Sequence, residues 1–214
     1  MANLNGSFGL RPLSKLGGGA NSTGLTGYSP YEIASDNTDK IYHGQLVIPL
    51  ASGYIDHTAN AAGGTVSHLG VFQGCQYVSS VNGKTIWSNY WPGSGADSDF
   101  PVKAFINDDP SQLYVIATDA SWTSKANARA SVFLNASLST GITGTDSTGL
   151  SLGRLAISTL ATTNSLSLRV LGWVEDEANS DFASAGIGAI VRLNNSFNAP
   201  TGSIAAGTPS TTGV

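Results

Sequence analysis

Hydrophobic and polar positions alternate over short runs along this chain, with glycine, asparagine or proline between the runs. Alternation with a period of two puts successive side chains on opposite faces and reads as half-buried β-strand. The longest such stretch is residues 66–91, VSHLGVFQGCQYVSSVNGKTIWSNYW. It predicts a long β-hairpin around which the rest of the chain is organised. Asn82-Gly83 supplies a two-residue type I′ turn, because both central positions need φ > 0. That turn sets Val78 opposite Trp87, Cys75 opposite Tyr90 and Gly74 opposite Trp91. The glycine leaves room for an indole to lie across the neighbouring strand. Leu69, Val71, Cys75 and Tyr77 then share one face.

The same pattern predicts strands over 31–34, 41–44 running into 45–50, and 54–56. Pro49 cannot donate to a ladder, so its strand is an edge or ends there. Residues 102–106 and 112–117 predict a second hairpin with a longer turn at 107–110. One short helix is expected within 121–130, with Ser124 as N-cap. Further strands are expected over 131–135, 151–157, 166–174 and 187–193, with a helical turn in 179–185. The fold class is mostly β: an antiparallel β-barrel or β-sandwich with a Gly-rich N-terminal arm, one or two short helices and a flexible C-terminal tail.

Residues 1–27 break the alternation. Leu4, Phe8, Leu10, Leu13 and Leu16 keep no clean period among seven glycines, and Arg11-Pro12 imposes a locally extended chain. Two readings stand: a tail lying on its own domain, or an arm reaching a neighbouring subunit. The candidate interface residues are Leu4, Phe8, Leu10, Arg11 and Leu13. The expected organisation is an arm over 1–27, a β-rich domain over 28–197 and a Pro/Gly/Ser/Thr/Ala tail over 198–214.

Composition narrows the chemistry. Charged residues are 11 % of the 214, well below the roughly 25 % usual in soluble domains. Low charge suits a chain that buries much of its surface against other protein. The net charge is −4 and there is no Lys/Arg run, so phosphate-mediated nucleic-acid binding has no visible basis. The single Cys75 forms no disulfide framework and is expected to be a free, buried thiol. No signal peptide or membrane span is expected, because no basic-then-apolar leader and no apolar run of about 18 residues occurs.

No catalytic constellation emerges. His43, His57 and His68 fall on different predicted elements, without HxH or HxxxH spacing, and are not expected to converge on a metal. Asp97 and Asp99 lack the bidentate Glu of a calcium loop. Asp108-Asp109 before Pro110 reads as a turn. Glu175-Asp176-Glu177 reads as a solvated loop. Residues 139–150 lack the Lys and the helix of a phosphate-binding loop, and no G-x-S-x-G elbow exists. Tyr28, Tyr31, Tyr90 and Trp91 are aromatics for a core, a subunit interface or a sugar-binding face. The protein is expected to be no enzyme and to need no cofactor.

Several segments, in order, resemble one family. Gly6-Ser7-Phe8-Gly9-Leu10-Arg11-Pro12 resembles a "GxFGLRP" opening. Residues 41–47 (IYHGQLV) resemble "IYxGDxV", with Gln45 in place of Asp. Residues 69–77 (LGVFQGCQY) resemble "LGVFxGCxY", residues 88–93 (SNYWPG) resemble "SNYYPG", and Asn107-Asp108-Asp109-Pro110 resembles "xDDPxQ". Residues 175–179 and 190–195 resemble the closing strand. The combination is similar to capsid decoration, or cement, proteins of tailed bacteriophages, especially those of marine and freshwater bacteria. The resemblance implies a β-rich subunit, made in the bacterial host cytoplasm and carried on the virion. It would bind the outside of the shell, bridge major capsid protein subunits and associate as a homotrimer. A minor head or tail component, a receptor- or carbohydrate-binding β module, and an enzyme on a β scaffold are the competing readings.

Overall fold

The computed structural model describes residue 3 and residues 6–16, 27–57, 68–139, 143–194 and 196–199. The elements are β1 (Arg11–Lys15), β2 (Ser29–Ile33), β3 (Leu46–Pro49), β4 (Ile55–His57), β5 (Gly70–Val78), β6 (Thr85–Ser88), β7 (Val102–Asn107), β8 (Gln112–Ala117) and α1 (Lys125–Ala130). They continue with β9 (Asn135–Ala136), β10 (Leu138–Ser139), β11 (Gly144–Thr145), β12 (Leu150–Ser151), β13 (Arg154–Leu155), β14 (Leu168–Trp173) and β15 (Gly188–Leu193). All strand ladders among the described residues are antiparallel, and the expected mostly-β class holds.

Two sheets carry the fold. A five-stranded sheet runs β1-β8-β15-β14-β9, and a six-stranded sheet runs β2-β7-β5-β3-β4 with β6 added on β5. The outer strands β2 and β4 approach each other without a ladder, so among the described residues no sheet closes into the barrel that was one of the two expected forms. Two cores result, and the six-stranded sheet contributes to both, Leu46 and Val71 to one and Val47, Phe72 and Cys75 to the other. Tyr114, Ile116, Val170, Val191 and Leu193 lead one core, into which Leu10 and Trp122 also pack. Val47, Phe72, Cys75, Trp91, Ala104 and Ile106 lead the other.

The central hairpin forms, but with a different turn. Cys75 pairs with Ser88, Gln76 with Trp87, Tyr77 with Ile86 and Val78 with Thr85, two residues from the expected register. A two-residue slip preserves the faces, whereas a one-residue slip would invert them. The loop is Ser80–Gly83, closed by Ser79 N–H to Lys84 O at 2.9 Å and Gly83 N–H to Ser79 O at 2.9 Å. Only Gly83 takes positive φ (66°), so the type I′ turn is replaced by a four-residue loop with one left-handed residue. Trp91 therefore does not face Gly74. It bridges to Ile41 instead.

A bulge at Gln73 explains a second departure. Phe72 pairs with Ile106 and Gly74 with Phe105, leaving Gln73 as the extra residue. The extra residue changes the parity of the strand. Phe72 before it and Cys75 and Tyr77 after it face one core, while Val71 faces the other. The expected shared face of Val71 and Cys75 is thus broken. Gly74 has φ of 142°, and a Cβ there would stand 2.9 Å from Ser88 O.

The expected second hairpin is absent. β7 lies between β2 and β5, and β8 lies between β1 and β15, in different sheets. Each has both edges occupied, so the 108–111 connector crosses from one sheet to the other. Pro49 ends β3, as its missing N–H requires. Ser124 caps α1, its hydroxyl accepting from Asn127 N at 3.2 Å. The strand expected over 131–135 is mostly a turn in which Phe133 has φ of 74°. The strand expected over 151–157 breaks into β12, β13 and a 3₁₀ turn over 157–159. The helical turn expected in 179–185 is a 3₁₀ turn over 177–179 followed by bends. Of the expected C-terminal tail, residues 200–214 lie outside the described residues.

Candidate functional site

The five N-terminal interface candidates separate. Leu4 lies outside the described residues. Leu10 is fully buried in the first core, and its N–H donates to Gly44 O at 2.9 Å. Within the single chain it is a core residue with no exposed side-chain surface. Arg11–Lys15 pairs with β8 as an edge strand, and its alternation, five residues long and interrupted by Pro12 and a bulge, is too short to read from sequence. Asn3 is tied down as well, its Nδ2 donating to Asp181 O at 2.8 Å. Phe8 is half-buried, with the Arg11 guanidinium carbon 4.5 Å from its ring centroid. Arg11 and Leu13 are exposed.

A larger surface feature lies on the outer face of the six-stranded sheet. Trp87 on β6 and Phe105 on β7 reach across β5 and stack with centroids 5.6 Å apart and planes within 5°. Trp87 is 68 % exposed although its backbone is held in a ladder. Gln76 and Lys103 continue the same cross-strand row. Of the four aromatics weighed as core, interface or sugar-binding face, Trp91 is fully buried in the core. Tyr31 donates to Asp108 at 2.8 Å, and Tyr90 stacks on Tyr42.

On the outer face of the five-stranded sheet, Arg169 and Arg192 are directly paired across β14 and β15. Like charges directly opposite repel. Burial and Arg169 together lower the Arg192 pKa, and Arg192 Nε has no hydrogen-bond partner among the described residues.

The carboxylates expected in turns do cap turns. Asp109 accepts from Ser111 N at 2.8 Å and pairs with Lys15 Nζ at 2.7 Å. Asp97 accepts from Asp99 N at 3.0 Å. Asp108 does more, accepting from Ser29, Tyr31 and Asn198 and so tying β2 to the inter-sheet connector. Tyr42 donates to Asp146 at 2.7 Å, and burial together with that bond pushes its hydroxyl up to about 12. Burial likewise pushes the Cys75 thiol up to about 12, which leaves it an inert core residue.

The three histidines do not meet one another. His43 Nδ1 lies 3.0 Å from Gln73 O. His57 meets two carboxylates, Asp39 and Asp56, which linear spacing did not flag because Asp39 comes from a separate loop. His57 Nδ1 lies 3.1 Å from Asp56 Oδ1, and that bond, with the field of Asp39 behind it, raises the imidazole pKa. Burial works to raise the Asp56 pKa, but hydrogen bonds from His57 and Asn37 outweigh it and hold the carboxyl low.

His68 is fully buried, with Nε2 2.9 Å from Ser167 Oγ and no partner for Nδ1 among the described residues. Burial lowers its pKa to about 4. The unfolded chain binds a proton near pH 6.5 that the folded chain refuses, so this stability is present above pH 6.5 and is lost as pH falls toward 4. The loss should approach about 3 kcal/mol. Urea titrations at pH 7 and pH 4.5 should show the wild type losing that much more stability than His68→Gln. An equal loss in both would refute the assignment.

No family model, no curated protein and no solved structure matches this chain.

Proposed function

We propose that this protein is a non-catalytic virion component. It would bind the outside of a tailed-phage capsid, bridge major capsid subunits as a homotrimer and stabilise the assembled head. The ordered motifs in residues 6–12, 41–47, 69–77, 88–93 and 107–110 supply the link to capsid decoration proteins. The structural observation that carries the reading is Trp87, a large apolar side chain held rigid by strand pairing and stacking yet facing solvent. Rigid exposed aromatics lose little entropy on binding and dominate the energy of protein interfaces. The opposed Arg169 and Arg192 add a second surface that an acidic partner would relieve. A subunit that binds only the assembled shell opposes its opening by mass action.

The test is co-sedimentation with phage heads stripped of this protein. The wild type should pellet with the heads and raise their temperature of DNA release. Trp87→Ser should keep the wild-type melting curve and bind at least about tenfold more weakly, which corresponds to about 1.4 kcal/mol. Wild type that stays in the supernatant would sink the proposal. Light scattering of the isolated protein should give three times the chain mass. The exposed Trp87–Phe105 platform also favours carbohydrate binding as a second reading, which a glycan array with the same variant would detect.

A further inference from the structure

The six-stranded sheet has a seam where β2 and β4 approach without pairing. Asp56 and His57 lie on β4, and Asp39 lies on the loop leaving β2, so the cluster straddles that seam. The donor atoms of the three side chains are all within 4.8 Å of one another. A zinc-class ion with ligands at about 2.0–2.2 Å spans donors up to about 4.4 Å apart, and the exposed Asp39 side chain has the rotamer freedom to close the remainder. His57 Nδ1 and Asp56 Oδ1 are 3.1 Å apart. Two ligands of a tetrahedral ion at about 2.0 Å stand about 3.3 Å apart, so this pair already has the length of one polyhedron edge.

The charge balance points the same way. Asp109, Asp146 and Glu175 each have a lysine partner. Asp39 and Asp56 pair with no lysine or arginine among the described residues and share one imidazole between them. The side chains of His57 and Asp56 are only 12 % and 23 % exposed, so that negative charge is partly desolvated. Both sides of the seam are held from elsewhere. The Trp91 indole N–H donates to Asn37 O at 3.2 Å, and Asn37 Oδ1 accepts from Asp39 N at 2.7 Å. On the other side, β4 is laddered to β3 through Ile48–Asp56 and Val47–His57.

We infer that Asp39, Asp56 and His57 form a binding site for a zinc-class divalent cation, which staples the loop after β2 to β4. One imidazole nitrogen with two carboxylate oxygens suits such an ion, whereas calcium takes oxygen ligands alone and magnesium retains most of its water. The ion takes the place of the proton between His57 Nδ1 and Asp56, and that proton leaves to solvent. Asp39 is exposed, so water completes the coordination shell. The ion fastens an edge that hydrogen bonds leave open, and the inference does not depend on the proposed shell binding.

The test uses the full chain, dialysed against EDTA and then titrated with zinc chloride. Calorimetry should show one saturable site per chain. At a hundredfold excess over Kd the melting temperature should rise by about 5–10 °C. Asp39→Asn, on an exposed loop, should melt like the zinc-free wild type and lose the rise, and His57→Gln should lose it too. Absence of saturable binding up to about 1 mM zinc, a reading weaker than about −4 kcal/mol, would overturn the site. So would a full rise in Asp39→Asn, which would place the metal elsewhere. An equal rise with magnesium chloride would mean charge screening and would also overturn it.

Discussion

Replacing Leu10 by alanine is expected to lower the unfolding free energy by about 2–5 kcal/mol, the cost of a cavity in a packed core. Leu10 is fully buried in the first core, the cluster that also holds Leu46 and Val71. Leu13, three residues on, is 45 % exposed, and its alanine variant should stay within about 0.5 kcal/mol of wild type. Deleting residues 1–16 should do more than either. It removes the strand on the β8 edge, the Lys15–Asp109 ion pair and the Gln112 Nε2 bond to Ser14 O. The exposed edge of β8 would then be open to pairing with other chains. Urea melts of the three variants check the order. A deletion that melts like wild type would mean that the N-terminus is an independent arm after all.

Trp91→Ala should cost about 3–5 kcal/mol, the range for deleting a buried large aromatic. Its ring is fully buried, meets Tyr77 edge-on at 5.4 Å and donates to Asn37 O. The last contact holds the loop that carries Asp39. The loss therefore combines a cavity with a released loop, and Trp91→Phe should recover part of the cavity term but not the hydrogen bond. With about 2–4 °C per kcal/mol at this chain length, the alanine variant should melt about 6–20 °C lower. Trp87→Ala, on the exposed platform, should move the melting temperature little. Equal shifts at the two tryptophans would contradict the assigned burial.

The sequence alone determined the β class, the central hairpin, the capped helix at 125–130 and the closing strand at 188–193. These are local signals: period-two alternation, an Asn-Gly turn region and a serine before an Ala-rich segment. Ser124 is a cap whatever surrounds it, because it satisfies an N–H three residues away. The tertiary structure decided everything that depends on partners distant in the chain. Residues 102–117 look like a hairpin, yet β2 and β5 claim one strand and β1 and β15 the other, because each sheet needs that strand to cover its core. Arg11–Lys15 looks like an arm until β8 offers an edge. Asp39 meets Asp56 and His57 only because the six-stranded sheet curls its two outer strands toward each other. Which residues of β5 face which core was settled by one bulge at Gln73, and a turn two residues longer moved Trp91 away from Gly74. Such choices are made by the competition of whole sheets for buried area, and a short window of sequence carries no record of it.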